Sequence, residues 1–235
     1  MIPQAAVEAD QAIPFGTGKE PGQQGSLEWL YERLGLCTAS RFKDAIDTLK
    51  NGKSSAKREA YKWELVIERI TGQPVQHYES TAMQHGTENE PMARMAYCSK
   101  TGAFVDEVGF YRHSELMAGG SPDGLIDEDG GIEIKCPFNS ANHLQCFLTE
   151  MPEEHIPQVQ GLMWLLGRQW WDFISFDHRM PAPMDIYIQR IPRDDKYIDE
   201  TLVPGIVAFL DEVQALQNQL TDAKKAALTQ GTEAV

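Results

Sequence analysis

Long apolar runs are missing from this sequence of 235 residues. The longest, Gly205 to Leu210 and Gly161 to Gly167, fall far short of the roughly 20 residues that span a bilayer. Cysteine is scarce too: Cys37, Cys98, Cys136 and Cys146 lie far apart with no C-x-x-C pair, and the six histidines form no H-E-x-x-H or H-x-H. A disulfide framework and a zinc site are both disfavoured. Met1-Ile-Pro-Gln carries no basic segment leading into an apolar one, so no signal peptide is expected. Positive charge is in short supply: 21 Lys and Arg face 35 Asp and Glu, for a net −14. That argues against coating nucleic acid non-specifically, but not against a nucleic-acid enzyme with its positive charge gathered in one place. Phosphate loops are absent as well. Gly52-Lys53-Ser54 has Asp47 where the first glycine is required, and Gly16-Thr-Gly-Lys19 is followed by Glu20 instead of a hydroxyl, so ATP is not expected to take part. The expectation is a chain without membrane attachment, at work in the cytoplasm.

What is present is an ordinary globular balance, 42% hydrophobic and 24% charged, long enough for one well-buried core. Residues 1–25, rich in Gly, Pro and Gln, are expected to form a flexible arm; residues 26–220 a single domain; and residues 221–235 a flexible tail. Apolar spacing predicts helices opening at Ser26, at Thr38 (with Phe42, Ala45, Ile46 and Leu49 on one face), at Ser54 or Ser55, and at Thr87. Short apolar runs between 105 and 134 then read as strands, with Asp127-Glu-Asp-Gly-Gly131 as a hairpin turn. Helices near 141–148 and 157–166, strands at 170–176 and 184–191, and a helix from 195 to 220 bent at Pro204 complete an α/β domain.

Charge is unevenly spread. Between Arg41 and Lys62 seven basic residues, among them Lys50, Lys53, Lys57 and Arg58, face three acidic ones. Two readings are open: solvated helix faces, or an edge that grips phosphates on an otherwise repulsive body.

The chemistry concentrates in Gly120-Ser-Pro-Asp-Gly124 and Gly131-Ile-Glu-Ile-Lys-Cys136. Strand alternation puts Glu133 and Lys135 on one face and Ile132 and Ile134 on the other. The predicted hairpin brings Asp123 beside them. Two carboxylates and an ammonium on one polar patch suit Mg²⁺, which takes oxygen ligands and keeps several waters; the Ile134 carbonyl is a further candidate ligand. Such an ion polarises a phosphodiester and activates water, and Lys135 can offset charge developing on phosphorus. The competing reading is a solvent-facing strand with a Glu–Lys pair.

Pro122-Asp123…Glu133-Ile134-Lys135 resembles the PD-(D/E)xK nuclease motif, and its context resembles the lambda exonuclease and YqaJ-type viral recombinase family. Trp29-(x)₃-Arg33-Leu-Gly-(x)₂-Thr38-Ala-Ser40, Gly86-(x)₃-Glu90 and Gln158-Val-Gln160-(x)₃-Trp164 agree in order. The resemblance implies an α/β, restriction-endonuclease-like core, with a central mixed β-sheet flanked by helices. It implies that Asp123, Glu133, the Ile134 carbonyl and Glu90 bind two Mg²⁺ ions, which Mn²⁺ can replace. Lys135 then matches the catalytic lysine, and Gln158 a position near the scissile phosphate. Glu90 has a second reading, as the N3 residue of a Thr87-x-x-Glu90 capping box. Arg33 and Ser40, with Ser121, match residues that hold DNA and its terminal 5′ phosphate; the basic cluster is a DNA-binding candidate on its charge alone. The implied activity is 5′-to-3′ digestion of one strand of double-stranded DNA by a homotrimeric ring in a bacterial host cell, leaving 3′ overhangs for a single-strand annealing protein. The alternatives are an endonuclease or resolvase on the same core and a catalytically silent DNA-end-binding module.

Overall fold

The computed structural model describes residues 25–232 apart from 50, 51, 77 and 79. Residues 1–24 of the expected arm, and Lys50, lie outside the described residues.

A four-stranded mixed sheet organises the chain. Strand β4 (Gly124–Ile126) pairs antiparallel with β5 (Gly130–Lys135), β5 runs parallel to β6 (Trp170–Phe176), and β6 pairs antiparallel with β7 (Ile186–Pro192). The Asp127–Gly131 segment does make the expected turn, with Asp127 at φ 47° and Gly130 and Gly131 opening β5. Gly131 has to be glycine for space: a Cβ there would strike the Trp171 ring on the neighbouring strand. A smaller sheet places β3 (Ala118–Gly120) between β1 (Cys37–Thr38) and β2 (Tyr111–Arg112).

Both faces of the large sheet are covered, which is why its strands are apolar almost throughout. On one face Ile132, Ile134 and Ile174 pack with Ala93 and Tyr97 of helix α4 (Thr81–Thr101). On the other, Trp171 and Phe173 join a larger core with Leu162 and Met163 of α6 (Ile156–Leu166). Phe209 of α8 (Val203–Thr232) and Tyr61 of α3 (Ala56–Thr71), whose rings stack at 5.3 Å, complete that core. Helices α1 (Leu27–Glu32) and α3 start as expected, with Ser26 and Ser55 capping them by accepting from the Trp29 and Arg58 N–H groups. Helix α5 (Ser140–Thr149) follows β5. Among the described residues no helix is long and apolar enough to cross a membrane.

Four expectations about elements are corrected. The helix read from Thr38 is instead strand β1, one 3₁₀ turn (Ala39–Arg41) and a four-residue helix α2 (Phe42–Ala45). Cys37 and Thr38 are taken by pairing with β3, and Leu49 ends half-exposed, its N–H donating to the Lys53 carbonyl. Helix α4 begins six residues before Thr87, capped by Ser80. The single helix expected from 195 is a short helix, α7 (Asp195–Tyr197), then a π turn (Ile198–Leu202) and α8. Pro204 is the second residue of α8, directly after the π turn. Residues 221–232 of the expected tail continue this helix.

The basic cluster is spent largely on structure. Arg58 is 5% exposed; its guanidinium binds Glu212 of α8 at 2.7 and 2.9 Å, the Ala45 carbonyl at 2.8 Å and Ser54 at 2.9 Å. Lys62 pairs with Glu59 and Glu212, Arg41 with Asp44 and Glu64, and Lys43 with Glu154. Arg58 is therefore a strut between α3 and α8 and not a phosphate contact, and the patch loses most of its net charge. Arg58→Ala is expected to cost about 2 kcal/mol in urea denaturation, from hydrogen bonds to a charged group and the carbonyl left behind. Its salt dependence of DNA binding should stay as in wild type. Wild-type stability with a flattened salt slope would return Arg58 to the DNA.

Candidate active site

The ladder itself assembles the site. Paired residues on neighbouring strands share a face, so Glu133, opposite Phe173 on β6, points toward α6, as does Lys135 two residues on. The last β4–β5 pair is Gly124 with Ile132, which sets Asp123 one step further, alongside Glu133. The Asp123 carboxylate accepts from the Ile134 backbone N–H at 2.6 Å, fixing the turn to the strand. From α6, Gln158 donates to Glu133 Oε1 at 2.6 Å and accepts weakly from Lys135 at 3.4 Å. Lys135 Nζ donates to the same Oε1 at 2.6 Å. Glu90 enters from α4, paired with Arg94 one turn on at 2.6 Å. The capping-box reading of Thr87 and Glu90 is overturned: Thr87 lies mid-helix with its hydroxyl donating to the Met83 carbonyl.

Arg33, Ser40, Glu90, Ser121, Asp123, Glu133, Ile134, Lys135 and Gln158 all line one cleft of about 680 Å³. Lys53, Lys57 and Arg58 are not among its walls. The end formed by α1 and β1 is built from a guanidinium and hydroxyls. Arg33 stacks on the Trp29 ring at 3.9 Å and donates to Thr38 Oγ1 at 3.3 Å, Ser40 lies 3.5 Å from that oxygen, and Trp29 Nε1 donates to Ser121 at 2.8 Å. Two cleft neighbours lie outside the sequence motifs. Arg94 was legible as an i, i+4 partner of Glu90; His155, whose ring stacks on Phe173 at 5.4 Å, had no sequence signal.

The charge balance is strained. Burial, then the carboxylates of Glu133 and Glu90, push Asp123 well above the usual carboxylate range, against the pull of Lys135 and the Ile134 N–H. Glu90 is raised by burial, with Arg94 opposing and Glu133 adding. Burial alone would lower Lys135, yet Glu133 and Asp123 outweigh it and hold the ammonium above its ordinary value, so it is a fixed cation. His155 goes the other way, to about 4, because burial and Lys135 outweigh a 4.0 Å approach to Glu154; it is neutral at physiological pH.

Among the described residues no three His, Cys, Asp or Glu side chains form a ready metal cluster, and each carboxylate of the site is engaged by a protein partner. Glu133 Oε2 is the exception: it is buried with no hydrogen-bond partner. An orphan carboxylate oxygen beside two carboxyls pushed toward protonation is a donor set that a hard cation fits.

The family model of the YqaJ-like viral recombinase domain matches residues 28–169. The chain belongs to that family. It is 42% identical to an alkaline exonuclease, LHK-Exo, from Laribacter hongkongensis, covering 86% of this chain and 98% of that one with a TM-score of 0.77. A structure of LHK-Exo in complex with dAMP matches equally well. A phage-related exonuclease from Haemophilus somnus 129PT, at 17% identity, a TM-score of 0.65 and coverage of 79% and 96%, shares the fold. No curated protein matches the chain. The fold is thus the α/β, restriction-endonuclease-like core that the motif implied, a mixed sheet flanked by helices.

A carboxyl whose value is raised in the folded state favours folding below its ordinary value and costs stability as pH rises through the raised one. At neutral pH the wild type therefore carries a penalty that Asn does not. Asp123→Asn is expected to raise the melting temperature in EDTA at pH 7–8 by about 2–4 °C for each kcal/mol relieved, while eliminating cleavage. A melting temperature that falls with the variant still folded would mean that the negative charge on Asp123 is tolerated without cost.

Proposed function

We propose that this chain is a Mg²⁺-dependent exonuclease that digests one strand of double-stranded DNA from 5′ to 3′, leaving 3′ overhangs for recombination by strand annealing. The observation that carries the reading is the convergence of Asp123, Glu133 and Lys135, with one buried carboxylate oxygen unpartnered, in the same cleft as the Arg33–Thr38–Ser40 pocket. The likeness to a protein named as an alkaline exonuclease supports it.

Asp123, Glu133, the Ile134 carbonyl and Glu90 are the residues to hold the metal. When bound, Mg²⁺ supplies a Lewis acid and a more acidic water. The chain's own groups do the rest. Lys135, a fixed cation, faces the charge that builds on the phosphoryl oxygens. Gln158 fixes Glu133 and its amide oxygen reaches toward Lys135, holding both rotamers. Arg33, Thr38 and Ser40 form a terminal-phosphate pocket, in which the planar guanidinium provides paired donors. Water adds to phosphorus and the 3′ oxygen of the end nucleotide leaves. The products are a 5′-mononucleotide and a strand with a new 5′ phosphate, the group the pocket takes next. Polarity follows from that regeneration. A homotrimeric ring, an annealing-protein partner and action in the bacterial cytoplasm complete the proposal, and sedimentation in the presence of DNA ends tests the ring.

Linear duplexes labelled at either end, with and without 5′ phosphate, in Mg²⁺ and in EDTA, test the activity. The reading requires loss of label from 5′ ends in Mg²⁺ alone. Cleavage of circular DNA lacking ends would make it an endonuclease or resolvase. Binding of ends without nucleotide release would make it a silent end-binding module.

A further inference from the structure

Arg94 occupies a position that none of the motif residues accounts for. Its side chain is 13% exposed and its guanidinium reaches three segments. Nη2 donates to Glu90 Oε1 at 2.6 Å and to the Asp123 carbonyl at 3.1 Å, Nε donates to that carbonyl at 3.2 Å, and Nη1 pairs with Glu107 at 3.0 Å. The two nitrogens on the Asp123 carbonyl grip the backbone just before β4, leaving the Asp123 carboxylate to the Ile134 N–H. The same fork holds Glu90, one turn away on α4. Helix α4 and the β4–β5 hairpin come from different parts of the chain, and this guanidinium is a direct polar tie between them at the site.

We propose that Arg94 is a positioning residue of the cation site, holding the Glu90 carboxylate and the Asp123 segment in one frame so that both can serve the same ion. This rests on the metal reading of the preceding subsection. Arg94 is not among the residues that line the cleft. Its positive charge repels a cation, so its value to the site lies in geometry and in offsetting three crowded carboxylates. A planar five-donor group can hold a carboxylate, a backbone carbonyl and a second carboxylate at once; an ammonium of similar reach cannot.

The test is direct metal binding to the full-length protein without DNA, with Mn²⁺ followed by titration calorimetry and by its paramagnetic resonance signal. Arg94→Gln is expected to weaken Mn²⁺ binding by about tenfold or more, the usual effect of losing an outer partner of a ligand. The Mg²⁺ concentration for half-maximal cleavage should rise in parallel, while kcat at saturating metal falls much less. Arg94→Lys should recover charge but not the fork, and bind Mn²⁺ at least threefold more weakly than wild type. Glu107→Gln, at a residue 71% exposed, should stay within about twofold. If Arg94→Gln does not fold, Arg94→Lys decides. Wild-type Mn²⁺ affinity in whichever variant folds overturns the proposal alone. A wild type that takes up no Mn²⁺ overturns the metal reading and this proposal with it.

Discussion

Lys135→Ala is expected to slow nucleotide release by about 10²–10³-fold or more, the effect of removing one preorganised donor from a developing oxyanion, while duplex-end binding in Ca²⁺ persists. On the proposed mechanism this is a loss of charge and not of a proton shuttle. The ammonium sits 2.6 Å from Glu133 in a site where carboxylates keep it protonated. It can donate hydrogen bonds but cannot take a proton from water in that state. Lys135→Arg keeps the charge but replaces a compact point donor by a wide fork beside Gln158, so only partial recovery is expected. The lysine has a second duty. With Nζ gone, Glu133 keeps one hydrogen bond from Gln158 to Oε1 and none to Oε2, so metal affinity should be retained or increased as the competing cation leaves. Single-turnover rates and Mn²⁺ isotherms on the same variant separate these effects. Turnover within about threefold of wild type would remove Lys135 from the chemistry. Loss of end binding together with turnover would make it a DNA contact.

The parts of this molecule legible in the sequence are those encoded locally. Alternation along 130–135 and the Asp-Glu-Asp-Gly-Gly turn suffice to put Asp123 beside Glu133 and Lys135, because a ladder register is fixed once a tight turn is fixed. Ser26 and Ser55 cap their helices as any isolated segment would predict. What was illegible depended on partners far along the chain. Arg58 reads as surface charge until Glu212, 154 residues later, is known to bind it. The apolar face from Phe42 to Leu49 fits a helix, but pairing of Cys37 and Thr38 with β3 claims the residues that would have started it. Helix α4 misled in the opposite sense. Gly86 and Pro91 are poor helix formers, so Thr87 between them looked like a start, whereas Ser80 caps the helix and the first turn borders the cleft. Glu90 keeps its place in the site in spite of that shift, since helical phase, and not the cap, turns it toward Asp123.

In the proposed reading, direction of digestion is set at the other end of the cleft. Arg33 is held flat against Trp29 at 3.9 Å, and Thr38 and Ser40 add hydroxyls beside it. Trp29 is itself tied to Ser121, two residues from Asp123, so the pocket and the carboxylates share one rigid connection. Burial lowers the guanidinium's proton affinity somewhat, with Tyr61 and Glu68 opposing, but an arginine remains a cation throughout the accessible range. A 5′-phosphorylated end should therefore bind through charge-assisted hydrogen bonds of roughly 1.5–3 kcal/mol each, which a 5′-hydroxyl end forgoes. Wild type should favour the phosphorylated end by about ten- to a hundredfold in single-turnover digestion, each tenfold being about 1.4 kcal/mol. In Arg33→Ala that preference should shrink mainly because the phosphorylated end becomes slow. Arg33→Lys should restore part of it, since an ammonium supplies charge without stacking on Trp29 or pairing two donors. The two ends and two side chains close a double-mutant cycle whose coupling energy belongs to Arg33 and the phosphate together. Additive effects would place the terminal phosphate elsewhere, and preferential digestion of 3′ ends would reverse the polarity while leaving the carboxylate–lysine site intact.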